Sequence, residues 1–455
     1  MSTALLTKKL SAQDLADRAI ERRAVEAAIW GMPAVNYHLM CQEMVRKTKG
    51  DFNQVLYWSQ LLDWMNQTLT PNPDVIYVMP FFNTQDVGPV VLEIPPADDG
   101  LINGSIMNFW QAAIEDVGPG GVDKGKGGKY AVLPPAYDQR TLPSGYIAMP
   151  CDTYRGYALL RSVLKSGSDE DVAQAVTYAK RIRLYPLSQA ANPPPTTFVD
   201  ASDIEFDTTI RYDTTFFESL NAMVQAEPWL ERDRAMIDQL KTIGIERGKP
   251  FQPDRNTQQI LAAAILEAEA WLEDRYDSFS PYYDDEHWFF PISEEMAQNV
   301  KTFWRTRDSY PIDARGTIYT LAFFSAKHVG EAQYYLFAGS DKAGKPLQGK
   351  SSYCVRVPAN APVTQYWSMT VYNRATHAFI RNARSVGRSS QTPGLKRNAD
   401  GSTDIYFGPA APRSGESNWV PTGANGRFEV LARFYGPQAP LFDKTWKLPD
   451  IEKIG

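Results

Sequence analysis

The run Val75-Ile-Tyr-Val-Met-Pro-Phe-Phe82 opens a series of short β-prone stretches, and what surrounds it decides the fold class. Residues 90–94, 101–110, 130–133, 145–149 and 157–164 continue the series, each bounded by turn formers. Short β-branched and aromatic runs at this spacing predict antiparallel strands of a sandwich or barrel.

Upstream, residues 12–30 carry Ala12, Leu15, Ala16, Ala19, Ile20 and Ala27 on one side at helical spacing. Asp14, Asp17, Arg18 and Glu21 occupy much of the other side. Gly31 and Pro33 are expected to end that helix, with a second one over Tyr37–Met44. Downstream, Ser168 reads as the N-cap of a helix over 169–181. Helical periodicity then covers 216–226, 232–243 and 257–276, with breaks at Pro228 and Pro250; 315–328 suits helix or strand. From Tyr334 the texture is β again. In 367–372, Trp367, Met369 and Val371 face one way and Ser368, Thr370 and Tyr372 the other. Asn398-Ala-Asp-Gly401 marks a hairpin turn.

The order β, helices, β excludes a repeated βαβ sheet. The reading is an α+β chain with two antiparallel β-sandwich modules: an N-terminal helical segment (1–50), a β-rich module (51–190), a helical middle (191–330) and a C-terminal β-sandwich (331–455).

With 47 basic and 53 acidic residues the net charge is −6, and no run of like charges forms the basic stripe that nucleic-acid binding needs. Cys41, Cys151 and Cys354 lie far apart with no CxxC spacing, so buried thiols are expected rather than disulfides or structural zinc. Neither a signal-type apolar region nor an 18-residue apolar stretch is visible, which makes the cytoplasm the expected location, without membrane contact.

Gly120-Gly-Val-Asp-Lys-Gly-Lys126 fits the start of a phosphate-binding loop, but Gly127 stands where Ser or Thr must bind magnesium. A hairpin loop is expected there, and no nucleotide. No GxSxG surrounds any serine. His328 and Glu331 are three apart and could join His38 as ligands of a divalent metal, weighed against an ordinary surface pair. No other cofactor is expected. Tyr282-Tyr-Asp-Asp-Glu-His-Trp288 reads as an aromatic-anchored loop, or as a carboxylate site for a hard cation.

Thr70-Pro-Asn-Pro-Asp74 is a stiffened turn: proline fixes φ, and the Asx side chains bond their own backbone. Such a turn can aim Asn72, Asp74 and Tyr77 into a cleft, with Asp74 as acid–base group and its neighbours orienting a substrate. Trp110, Trp367, Tyr372 and Trp419 either fill cores or line that cleft.

Several motifs together resemble two families often joined in one chain, domains of unknown function 1254 and 1214. The N-terminal likeness rests on Ile29-Trp-Gly-Met-Pro33, Leu69-Thr-Pro-Asn-Pro-Asp-Val-Ile-Tyr77, Gly88-Pro-Val-Val-Leu-Glu-Ile-Pro95 and Leu184-Tyr-Pro-Leu187. The C-terminal likeness rests on Gly344-Lys-Pro-Leu-Gln-Gly349, Tyr366-Trp-Ser-Met-Thr-Val-Tyr372, Asn398-Ala-Asp-Gly401, Asn418-Trp419 and Arg433-Phe-Tyr-Gly-Pro437. Val75 stands where the resemblance more often has Thr. The resemblance implies jelly-roll-like modules around a helical segment and a homo-oligomer; it names no reaction. The expected function is a small-molecule enzyme, a hydrolase for an apolar or aromatic substrate. The alternative is a non-catalytic binding protein for a hydrophobic ligand.

Overall fold

The computed structural model describes residues 10–323, 326–330, 332–413 and 415–454. It shows an α+β chain with an N-terminal helix and several mostly antiparallel sheets.

The N-terminal helix is continuous over Ala12–Thr48, 37 residues. Its start is a capping box: Asp14 N donates to Ser11 Oγ at 3.1 Å and Ser11 N to Asp14 Oδ2 at 2.8 Å. The break expected at Gly31 and Pro33 does not occur. Pro33 has no N–H for the carbonyl of Ile29, and the helix 312–321 lies against that carbonyl through Gly316, where an added Cβ would fall 2.8 Å from the oxygen. At Gly31 a Cβ would meet Leu220 at 2.8 Å, so the missing side chain admits the helix 215–226. Tertiary packing overrides the local breakers.

Three cores divide the molecule. The first two sheets have the orders 198–200, 54–57, 75–83, 155–163, 102–108, 113–117 and 183–186, 90–94, 128–133, 147–150. Ile76, Val78, Leu92, Tyr130 and Leu160 join from both into one cluster, closed by Tyr178 and Ala179 of the helix Asp169–Ala179, which Ser168 caps. Beyond them, the sheets 333–338, 428–437, 363–373, 387–389 and 419–421, 403–408, 353–357, 452–453 enclose a second cluster with Trp367, Met369, Val371, Val430 and Phe434. The third and largest core lies between the modules. Val75, Tyr77, Met79, Tyr157 and Leu159 reach it from one side, and Phe337, Tyr366, Tyr372, Leu431 and Tyr435 from the other. Residues of the helices 12–48, 215–226, 255–277 and 312–321 complete it. The period-two alternation of 75–83, 155–163, 363–373 and 428–437 therefore serves two cores from each strand.

The segment 120–126 is not a hairpin. It carries the chain from the strand Ala113–Val117 of one sheet to Gly128–Leu133 of the next, and Asp123 Oδ2 accepts Gly127 N at 3.1 Å inside it. The segment 315–328, open between helix and strand in the sequence, gives a helix over Ile312–Leu321. Of 232–243, only Arg234–Leu240 is α-helical, with a 3-10 turn on each side. No helix among the described residues is long and apolar enough to cross a membrane.

Candidate functional site

The stiff turn 70–74 lies where the modules meet. Thr70 has a φ of 39°, held by its N–H donating to His377 O at 2.6 Å. From the C-terminal module, Arg433 Nη2 donates to Thr70 O at 2.8 Å and Pro71 O at 3.1 Å, and its Nη1 to Thr370 Oγ1 at 2.8 Å. Tyr372 Oη donates to the same Pro71 carbonyl.

Asn72 is fully engaged. Its backbone N–H donates to Tyr77 Oη at 3.1 Å, its amide nitrogen donates to Tyr366 Oη at 3.0 Å and Tyr435 Oη at 2.8 Å, and its Oδ1 accepts Asp74 N at 3.0 Å. The side chain has no hydrogen left to offer a substrate. Burial raises the Asp74 carboxyl above the usual carboxylate range, opposed first by the Arg433 charge and then by the Ser368 and Ser389 hydroxyls. Its Oδ2 has no partner at hydrogen-bonding geometry, nor has Ser368 Oγ. Of the three, only Tyr77 reaches the cavity that opens beside the turn.

That hollow holds about 960 Å³ of space between atoms, open solvent at its mouth included. Tyr77, Met79 and Leu159 form one wall from the six-stranded sheet, and Tyr335, Phe337 and Leu431 the facing wall from the C-terminal sheet. Met40 and Ile318 come from helices, and Trp58, Thr70 and Phe290 from connections. It is an apolar, aromatic-walled space.

Two arginines break the pattern, Arg433 at the turn and Arg161. Arg161 borders the cavity and is 5% exposed, yet its Nε and Nη1 have no hydrogen-bond partner. It lies opposite Tyr77 on one neighbouring strand and Asn103 on the other, with its guanidinium carbon 5.3 Å from the centre of the Tyr77 ring. Among the described residues, no Asp or Glu lines the cavity. Burying an ion without a partner costs several kcal/mol after relaxation, roughly the scale of a domain's whole margin. The signal was present in the sequence: in Tyr157-Ala-Leu-Leu-Arg-Ser-Val-Leu164 the arginine takes the parity of Tyr157, Leu159 and Val163, which all face the central core.

The aromatic residues expected at a cleft sit elsewhere. Trp110 packs its ring 4.8 Å from that of Trp30 and borders a smaller cavity with Leu220 and Trp229. Trp367 belongs to the C-terminal core, and Trp419 donates its indole N–H to Gly408 O at 3.0 Å. Tyr372 stacks on Phe379 at 5.5 Å, behind the Arg433 guanidinium. None of the four lines the central cavity.

The three residues considered for a metal are not brought together by the described residues. His38 borders a cavity near Arg155, and burial with that charge brings its pKa down to about 4. His328 borders a different cavity and sits with Nε2 3.1 Å from Glu115 Oε1. Glu331 lies outside the described residues. Among those described, no group of three or more His, Cys, Asp or Glu could hold a metal ion. The loop 282–288 is tied down: His287 N donates to Asp450 Oδ1 at 2.6 Å and the Trp288 indole to Pro449 O at 2.9 Å. The cysteines are free thiols, and burial pushes that of Cys41 up to about 12.

Fold and site define a class: an α+β protein whose two β-rich modules close around an apolar cavity bordered by Arg161, whose Nε and Nη1 have no hydrogen-bond partner. Residues 52–186 match the family described as protein of unknown function DUF1254, and residues 332–439 the family described as protein of unknown function DUF1214. The chain belongs to the proteins that join these two modules. Among solved structures it is similar to the VPA0106 protein of Vibrio parahaemolyticus, with a TM-score of 0.60 at 17% identity over 96% of this chain and 100% of that one. A putative uncharacterized protein from Burkholderia cenocepacia aligns at a TM-score of 0.42 and 10% identity, over 97% of this chain and 95% of that one. No curated protein matches.

Proposed function

We propose that this chain is a binding protein for a small hydrophobic molecule, held in the cavity between its two β modules. The observation that carries the reading is the cavity wall: Trp58, Tyr77, Phe290, Phe337 and Leu431 line an apolar space between the two modules, the lining that small hydrophobic ligands favour. In this reading each module is a jelly-roll-like sandwich that keeps one wall rigid. Binding is favoured over hydrolysis because Asp74 stands outside the cavity and Asn72 is bonded to protein. Hydrolysis keeps one supporting observation, the unpartnered Asp74 Oδ2 and Ser368 Oγ with the carboxyl raised by burial.

Native mass spectrometry of freshly purified protein tests the proposal. A co-purifying organic molecule at one per chain, lost on denaturation and reduced in Leu431→Trp, is the expected result. A bare chain that takes up nothing from a cell lipid extract overturns it. Turnover of an ester panel that disappears in Asp74→Ala would favour hydrolysis instead.

A further inference from the structure

We infer that the ligand of the central cavity is an amphiphile with a single anionic head, a carboxylate on an apolar body, and that Arg161 is its head-group site. The inference rests on the binding reading above and adds the ligand's charge and the residue that selects it.

Three observations converge. First, Arg161 is buried at 5% exposure, lines the cavity and leaves Nε and Nη1 without a partner. Nε and Nη1 lie on different edges of the planar guanidinium, and each is an N–H donor of the kind that a carboxylate accepts. Second, no described residue lining the cavity supplies a counter-charge. The residues beside Arg161 in the sheet, Tyr77 and Asn103, are neutral, and among the described residues no carboxylate lines the cavity. Gln333 and Asn103 carry amide oxygens without donors, which can solvate a cation but cannot neutralise it. Third, the rest of the wall is apolar, with Met79, Leu159, Ile318, Phe337 and Leu431 suited to a hydrocarbon or aryl body.

The other buried arginine at the cavity gives the contrast. Arg433 donates to Thr70 O, Pro71 O, Thr370 Oγ1 and Tyr372 Oη, and holds the fold together. Arg161, 5% exposed against 2% for Arg433, lies over the Tyr77 ring and leaves Nε and Nη1 without an acceptor. A cation retained in an apolar cavity without a partner is what a site for an anionic head requires, because the ligand then supplies the missing acceptors and the missing charge together.

Quenching of tryptophan emission by a matched dodecyl series reads this out, since Trp58 lines the cavity. Dodecanoate, dodecanol and dodecylamine share one body and differ in the head. With the full chain, dodecanoate is expected to bind about tenfold or more tighter than dodecanol, and dodecylamine more weakly than either. Arg161→Met should bring dodecanoate down to the alcohol's affinity while leaving dodecanol within about twofold. Arg161→Lys keeps the charge, loses the fork, and should retain part of the preference. Thermal melting of both variants checks that they are folded; removing an unpaired buried charge should leave Tm equal or higher. Equal binding of acid and alcohol, or an acid preference that survives Arg161→Met, overturns the inference and leaves the cavity reading standing. Binding of none of the three overturns both.

Discussion

Arg433 reaches out of the C-terminal strand Phe428–Pro437 to donate to Thr70 O at 2.8 Å in the N-terminal module. The contact joins a fixed cation to backbone carbonyls of a proline-stiffened turn, so the modules are registered against each other by main-chain atoms. Removing it should loosen the cavity's two walls together. Arg433→Met is expected to cost about 3 kcal/mol, the scale of several charge-assisted hydrogen bonds lost at once. Urea unfolding at neutral pH measures this; a loss within error of zero would show that the clamp is incidental.

Asn72 works on the same joint from the opposite side, bonding Tyr366 and Tyr435 through its amide. Asn72→Ala should lower stability by about 2 kcal/mol. The folded fraction should keep its ligand affinity within about twofold, because the side chain does not line the cavity. Parallel denaturation and binding curves separate the two effects, and a large affinity loss at unchanged stability would return Asn72 to a substrate-orienting role.

The close approach of two helices at Ile29, whose carbonyl Pro33 leaves without its helical N–H, gives a packing test. A Cβ at Gly316 would lie 2.8 Å from both Ile29 O and Ile29 Cγ2, and the oxygen belongs to backbone that cannot yield cheaply. Gly316→Ala should destabilise by about 2 kcal/mol despite alanine's better helix propensity. A stabilised variant in a thermal melt would refute this packing.

Glu227 links stability to pH. Burial raises its carboxyl to about 7, while Tyr154 N and Arg155 N donate to it at 2.7 and 3.2 Å. Its unfolded value is near 4.5, so between pH 4.5 and 7 the folded chain holds a proton that the unfolded chain has released. The contribution is therefore full below 4.5 and is lost as pH rises to about 7. His38 runs the other way: held near 4 against 6.5, it loses stability as pH falls through that window. In Glu227→Gln, stability relative to the parent chain should climb by roughly 3 kcal/mol across the glutamate window. A flat difference curve would mean that Glu227 titrates normally.

Strand identity was legible in the chain wherever one face differed from the other. Val90–Ile94 is a strand with the expected bounds, and Trp367, Met369 and Val371 point into one core while Tyr372 points into another. The helix through Pro33 was not legible, because what sustains it, Gly316 against Ile29, comes from almost three hundred residues away. The site was legible only at its edge. Thr70–Asp74 did prove to be a rigid turn at the joint, but which of its side chains faces open space depends on the partner strands 363–373 and 428–437. Trp110, Trp367 and Trp419 were conspicuous by type, and type says nothing of whether a large ring fills a core or borders a void. Arg161 was conspicuous by parity, a charge at an inward position, and that signal gains meaning only once its missing partner is seen.

A crystal structure of the chain with bound dodecanoate addresses the central claim most directly. The carboxylate should lie about 3 Å from the Arg161 guanidinium, with the tail running past Leu159 and Leu431 between the two sheets. Dodecanoate on the outer surface, with nothing against Arg161, would contradict the account.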